Sequence, residues 1–317
     1  MMKEHFLTDI EIKQYKCFKD FKSSGFKRVN LIGGKNNIGK TAFMEACIIN
    51  VYSINVNTMI TAIHTVKFSR ENLNLINESI SHQKLIDATR SYSAESNLRK
   101  TGFFIQEKDA TKTYQININD KLTTINAKDL NITFDAVDNI NYIDNFGWSD
   151  YELIGAYQTI QIKDQENNLN VFIREFDDNI EGFKVIGDKP QCRVNGEYLD
   201  IVEFGDGLRH YISIICALHS CENGYLFVDE IDNGVHYTQL DRLWELIFTL
   251  SKKTNCQVFA ITHSKEMLEA FARVAKKLDE QSISYTTLVK NEQLEIKALT
   301  QDYEMLLYSI AQEHEVR

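Results

Sequence analysis

The sequence predicts an α/β protein in which a P-loop and a mostly parallel sheet carry helices on the sheet's faces. Two observations lead to that fold class. A glycine-rich segment, Gly34-Lys35-Asn36-Asn37-Ile38-Gly39-Lys40-Thr41, stands between a strand-like run and a helix-like run. From Tyr225 onward, apolar strand-like runs alternate with amphipathic helical ones, the pattern of a parallel sheet whose crossovers are helices.

Residues 6–32 alternate β-formers with polar residues through FLTDIEIKQYKCF and end in RVNLIGG, which predicts two or three strands of an N-terminal β lobe. TAFMEACIINVYSINV has apolar residues at helical spacing and predicts a helix starting at Thr41. Residues 60–100 read as mostly helical and polar. Between 101 and 200, FFIQEK, TYQINI, YQTIQIKD, LNVFIREF and FKVIG alternate and predict a meander of strands, an insertion between the glycine-rich motif and the later ones. Then follow strand YLFVDE, helix TQLDRLWELIFTLSKK, strand QVFAITH, helix KEMLEAFARVAKKL, a strand pair (YTTLVK, LEIKAL) and a last helix. There is one proline, Pro190, and no repeat or heptad array. The chain therefore reads as a single unit over 1–317, with 1–60 holding the first strands, loop and helix, 61–200 the insertion, and 201–317 the last lobe.

A chain of 317 residues with 43% hydrophobic content can fill a sizeable core. Its net charge of −10 argues against a surface that binds nucleic acid throughout. Lys13, Lys16, Lys19, Lys22, Lys27 and Arg28 form a local basic set, readable either as a nucleic-acid patch or as an ordinary solvated strand face. No secretory leader is evident, and runs such as YISIICAL are too short to span a bilayer, so a cytoplasmic protein without a membrane partner is expected. Cys17, Cys47, Cys192, Cys216, Cys221 and Cys256 are scattered, which predicts reduced thiols and no zinc site.

The glycine-rich segment fits G-x-x-x-x-G-K-[ST]. Its glycines let backbone N–H groups wrap an anion, Lys40 would reach the β- and γ-phosphates, and Thr41 would hold Mg²⁺. Tyr225-Leu226-Phe227-Val228 ends in Asp229 and Glu230; Asp229 is placed for the Mg²⁺ shell and Glu230 to orient or deprotonate the attacking water. The strand Val258–Ile261 ends in Thr262-His263-Ser264, where His263 would hydrogen-bond the γ-phosphate. Phe204-Gly205-Asp206-Gly207-Leu208-Arg209 precedes a helical run and is either a second anion site or a plain helix start capped by Asp206. These motifs predict ATP and Mg²⁺ as cofactors. A guanine-reading N-K-x-D is absent from the sequence.

In order, GGKNNIGKT, FGDGLR, YLFVDEIDNGVHYTQLDRLW and QVFAITHS resemble the stand-alone AAA/ABC ATPases related to the OLD family, with heads like those of RecF and SMC proteins. The resemblance implies a P-loop NTPase with an ABC-type ATPase head: a mixed, mostly parallel core sheet, an N-terminal β lobe and an α/β insertion before the signature loop. It implies a homodimer that sandwiches ATP, with Gly205 and Gly207 serving the partner's γ-phosphate and with Asp232 and Asn233 communicating across the interface. Asp206 stands where the family commonly has serine. Gln158 and Gln161 are candidates for the Q-loop glutamine. Relatives act in phage defence or DNA transactions. About fifty residues follow His263, without the D-x-D of a nuclease, so the output would pass to a separate nuclease or toxin-like effector, or to nucleic acid in a RecF- or SMC-like DNA-binding role.

Overall fold

The computed structural model describes residues 5–71, 91–108, 111–126 and 137–312. In chain order the elements are β1 (Asp9–Tyr15), β2 (Phe18–Ser24), β3 (Val29–Gly34), α1 (Lys40–Tyr52), α2 (Val56–Glu71), β4 (Ser91–Ser96), β5 (Lys100–Lys108), β6 (Thr111–Ile118), β7 (Lys121–Asn126) and β8 (Ile140–Ile143). There follow α3 (Asp150–Ile162), α4 (Glu166–Phe176), β9 (Gly182–Ile186), β10 (Lys189–Val194), β11 (Glu197–Asp200), α5 (Asp206–Ser220) and β12 (Tyr225–Val228). The chain ends with α6 (Leu240–Thr254), β13 (Gln257–Ile261), α7 (Lys265–Leu278), β14 (Ile283–Lys290), β15 (Ile296–Asp302) and α8 (Tyr303–Ala311). Two compact units share these elements. One comprises the described residues of Met1–Phe26, Gly34–Val137 and Thr287–Thr300, the other those of Lys27–Gly33, Asp138–Thr286 and Gln301–Arg317.

The first unit is built on an antiparallel sheet of order β2-β1-β4-β5-β6-β7. Helix α1 is pinned to it by polar bonds: Tyr92 Oη donates to Ala46 O (3.0 Å) and Ser96 Oγ to Asn50 Oδ1 (2.7 Å). Phe18, Phe21 and Phe43 close the space between, with Phe18 and Phe21 centroids 4.6 Å apart. The outer part of β14 and β15 forms a hairpin closed by Asn291 N–H on Glu295 O at 2.9 Å.

The second unit carries the parallel sheet, in the order β14-β3-β13-β12-β8. Strands β3, β13, β12 and β8 run parallel, with Ile261 beside Ile32, Val228 beside Ala260 and Val228 beside Ile143. All residues of β12 and β13 are buried, as expected of central strands covered on both faces. Helices α6 and α7 pack through Trp244 and Phe271, whose ring centroids lie 4.7 Å apart, and Trp244 Nε1 donates to Met267 O at 3.2 Å. Truncating Trp244 to alanine should cost about 3–5 kcal/mol. Their exposed pairs, Arg273–Asp241 at 2.6 Å and Lys277–Glu245 at 2.5 Å, contribute about 1 kcal/mol at most. Left-handed Asn255 and Asp279 terminate these two helices. Among the described residues no helix is long and apolar enough to cross a membrane.

Three sequence expectations change. Residues 91–96 form strand β4 and are not helical. YQTIQIKD lies in and just after α3, and LNVFIREF lies in α4; neither is a strand. Their buried residues, Leu153, Tyr157 and Ile160 in one and Leu169 and Ile173 in the other, fall at three- and four-residue spacing, which outweighs the local alternation. A capping box between Ser149 and Glu152 starts α3.

Candidate functional site

In the first unit the loop Gly34–Gly39 is wound by residues of positive φ: Gly34 (135°), Asn37 (59°) and Gly39 (108°). Gly39 is the N-cap of α1 and makes no side-chain cap, so the amides of the first turn are available to an anion. Glycine is required there twice over, because a Cβ on Gly39 would lie 2.7 Å from Cys17 Sγ and 3.3 Å from Phe18. A Cβ on Gly34 would lie 2.7 Å from Leu288 O. Lys40 is buried, and its ammonium folds into the loop, donating to Gly34 O (2.8 Å) and Lys35 O (3.0 Å). Lys35, Asn36 and Asn37 are exposed, Ile38 is buried, and Thr41 is half-buried beside Lys40 at the start of α1.

In the second unit the parallel strands end on one edge, the edge at which sheets of this type bind ligands. The part of β3 in this unit reaches Gly33, where a Cβ would lie 2.1 Å from Tyr285 Oη. Beside it β13 ends in Thr262, whose N–H donates to Ile32 O at 3.1 Å, and in exposed His263. Next, β12 ends in half-buried Asp229 and Glu230. Glu230 has a left-handed φ of 45°, strain of order 1 kcal/mol that a non-glycine residue keeps only where its surroundings hold it. Here its N–H donates to Asp229 Oδ1 at 3.1 Å, and the next N–H, of buried Ile231, donates to Ile261 O at 2.9 Å. Asp232 accepts from Thr262 Oγ1 at 2.6 Å, tying this turn to the end of β13.

The turn before α5 uses its glycines differently. Gly205 has φ 79° with open space around a would-be Cβ, whereas a Cβ on Gly207 would lie 1.9 Å from Gly234 O. The N-cap is Gly205, and it has no side-chain cap. The alternative of Asp206 as the cap therefore fails: Asp206 is the first helical residue, and its exposed carboxylate favours the positive helix end electrostatically. A cleft of about 840 Å³ opens at this turn, and its lining includes Arg174, Arg242, Glu175, Asp177, Asp178 and Asp206.

The segment Asp144–Asp150 escaped the sequence reading. It leaves β8 beside β12, and Asp229 N–H donates to Ile143 O at 2.9 Å. Asn233 Nδ2 donates to Asn145 O. Burial raises the Asp144 carboxyl above the usual range, opposed by a hydrogen bond from Phe146 N–H. One signal was present: Ile140-Asn141-Tyr142-Ile143-Asp144 has the same form as Tyr225–Asp229, an apolar run ending in an acid. Gln158 and Gln161, the Q-loop candidates, are exposed on α3 and stand on no strand end.

The basic set is largely paired with acids. Lys13 and Lys22 share Glu11, Lys16 pairs with Glu45, and Arg28 pairs with Glu280. Among the described residues no three His, Cys, Asp or Glu side chains converge as a metal centre. Asp229, at the end of β12, offers a hard oxygen donor of the kind that Mg²⁺ takes together with phosphates and water. The six cysteines are unbridged.

A helix-flanked parallel sheet, a P-loop leading from β3 and the acid-ended strand β12 define a P-loop ATPase fold of the ABC type, like the head of SMC proteins. The sequence model of the AAA ATPase domain family matches residues 47–268, more than half of the chain, and the chain belongs to that family. It is 23% identical over 330 residues to an ATP/GTP phosphatase of Helicobacter pylori, covering 86% of this chain and 89% of that protein. Its structure is similar to the Smc head bound to the C-winged helix domain of ScpA, with a TM-score of 0.56, 13% identity, and 94% of this chain and 99% of that one covered. A second similar structure is the Smc head with an extended coiled coil bound to the C-terminal domain of ScpA from Pyrococcus furiosus. There the TM-score is 0.53 at 11% identity, covering 97% of this chain and 99% of that one.

Proposed function

We propose that the chain is an ATP-driven switch: it binds ATP with Mg²⁺ through Gly34–Thr41, hydrolyses it at the edge carrying Asp229, Glu230 and His263, and passes its nucleotide state to a partner. The observation that carries this reading is the P-loop, with Gly39 at φ 108° and the Lys40 ammonium held inside the loop by two carbonyls. A polyphosphate would be a strong, charge-assisted partner for that buried cation. Thr41 and Asp229 would hold Mg²⁺, which when bound neutralises phosphate charge. Glu230 would take or orient the proton of the attacking water, and His263 would hydrogen-bond the γ-phosphate. Family membership supports ATP as substrate.

The trans role of Gly205 and Gly207, a homodimer closed over ATP, a cytoplasmic setting and a separate effector, as in phage defence, complete the proposal. It is tested by light scattering of Glu230→Gln, which should dimerise with ATP and stay monomeric without it. An unchanged mass would sink the sandwich. A DNA-binding ATPase is the weaker reading, because most of the basic set is internally neutralised; salt-sensitive binding of duplex DNA would revive it.

A further inference from the structure

We propose that Arg209 is a positioning residue for ATP hydrolysis, tying the Gly205–Gly207 turn to the strand ends that carry Asp229 through the segment 145–150. This rests on the proposed function and names a residue that it leaves without a role.

The ties are continuous. Arg209, on the first turn of α5, donates from one guanidinium nitrogen to Trp148 O (3.1 Å) and Asp150 Oδ1 (2.7 Å), with only 15% of its side chain exposed. Trp148 N–H donates to Ser213 Oγ at 3.0 Å, and Ser213 Oγ in turn donates to Arg209 O at 2.7 Å. Gly147 lies so close to α5 that a Cβ would be 3.2 Å from His210 Cα. On the other side, the Gly207 turn presses on Gly234, and Asn233 bonds back to Asn145 O. Segments leaving two adjacent strands, β8 and β12, therefore grip the first turn of α5 from both sides and are bonded to each other. At their root, Asp229 N–H is bonded to Ile143 O.

Such a ring has few ways to move. A shift at Asp229 and Glu230 on nucleotide binding or hydrolysis reaches the Gly205–Gly207 turn through either arm, and Arg209 makes the 145–150 arm stiff. Arg209 contacts no reacting atom in this account. Its removal should misalign the turn that completes the site and leave nucleotide affinity at the P-loop in place.

The test uses the full chain with Trp244→Phe as background, leaving Trp148 as the single tryptophan reporter. Phosphate release, affinity for a fluorescent ATP analogue and Trp148 emission are measured for Arg209, Arg209→Ala, Arg209→Lys and Asp150→Asn. The expected result is a kcat about tenfold lower in Arg209→Ala, an affinity within about twofold, and partial recovery in Arg209→Lys. ATP should shift Trp148 emission in the parent and not in Arg209→Ala. If Arg209→Ala does not fold, Asp150→Asn decides alone, since it keeps the arginine and its bond to Trp148. An unchanged kcat, or affinity falling in step with kcat, overturns the inference. A parent that releases no phosphate overturns the proposed function, and the inference with it.

Discussion

Gly39 and Glu230 both sit at positive φ, for opposite reasons. Gly39 (108°) has Cys17 Sγ where a side chain would be, so Gly39→Ala should lose about 2 kcal/mol of stability together with ATP affinity. A melting temperature and affinity equal to those of the parent would contradict the packing described. Glu230 (45°) is a side chain kept where glycine would be easier. Glu230→Gly should therefore leave stability unchanged or raise it by about 1 kcal/mol, while phosphate release is lost. A large loss of stability would mean that the carboxylate is held for the fold and not for chemistry. Asp206, at the head of α5 and in the acidic cleft, would repel a partner's triphosphate, so Asp206→Ser should tighten ATP-dependent dimerisation, read as a lower dimer dissociation constant.

At the scale of elements, α5 carries two buried histidines whose pKa burial lowers from 6.5 to about 4, His210 and His219. Among the described residues the His210 ring nitrogens have no hydrogen-bond partner of ordinary geometry; the backbone of Asn233 is the smaller, opposing influence on its pKa. Both rings stay neutral in the folded protein while the unfolded chain takes up protons below pH 6.5. Stability should therefore be intact at neutral pH and fall between about pH 6.5 and 4, by about 3 kcal/mol for His210 alone. Thermal melts across that range should show the decline, and His210→Asn should flatten it; a melting temperature level down to pH 4 would contradict the burial.

Elements with strong terminal signals were legible in the sequence: β12, β13, α6 and α7 lie where YLFV, QVFAI and their amphipathic partners put them. Helices α3 and α4 were not, because YQTIQIKD and LNVFIREF satisfy a two-residue period locally and a helical one only over three turns. The arm 144–150 was hidden for a different reason. Its importance comes from bonds to residues about sixty to ninety positions away, Arg209, Ser213 and Asn233, which no local pattern encodes. The pairing of Lys16 with Glu45 and of Arg28 with Glu280 is likewise a product of the fold.

At the scale of the molecule, each unit is assembled from three separated stretches of chain, so no linker marks the division in the sequence. The P-loop leads on from β3, and the other candidate residues lie at the ends of β12 and β13, with α5 beside them. The proposed function makes one claim central: the chain releases phosphate from ATP, with Lys40 binding and Glu230 acting on water. The direct measurement is phosphate release from ATP, in parallel with ATP-analogue binding, for the parent, Lys40→Ala and Glu230→Gln. The account predicts turnover in the parent, loss of both binding and turnover in Lys40→Ala, and retained binding with at least about a hundredfold lower turnover in Glu230→Gln. Undiminished phosphate release from either variant would contradict it.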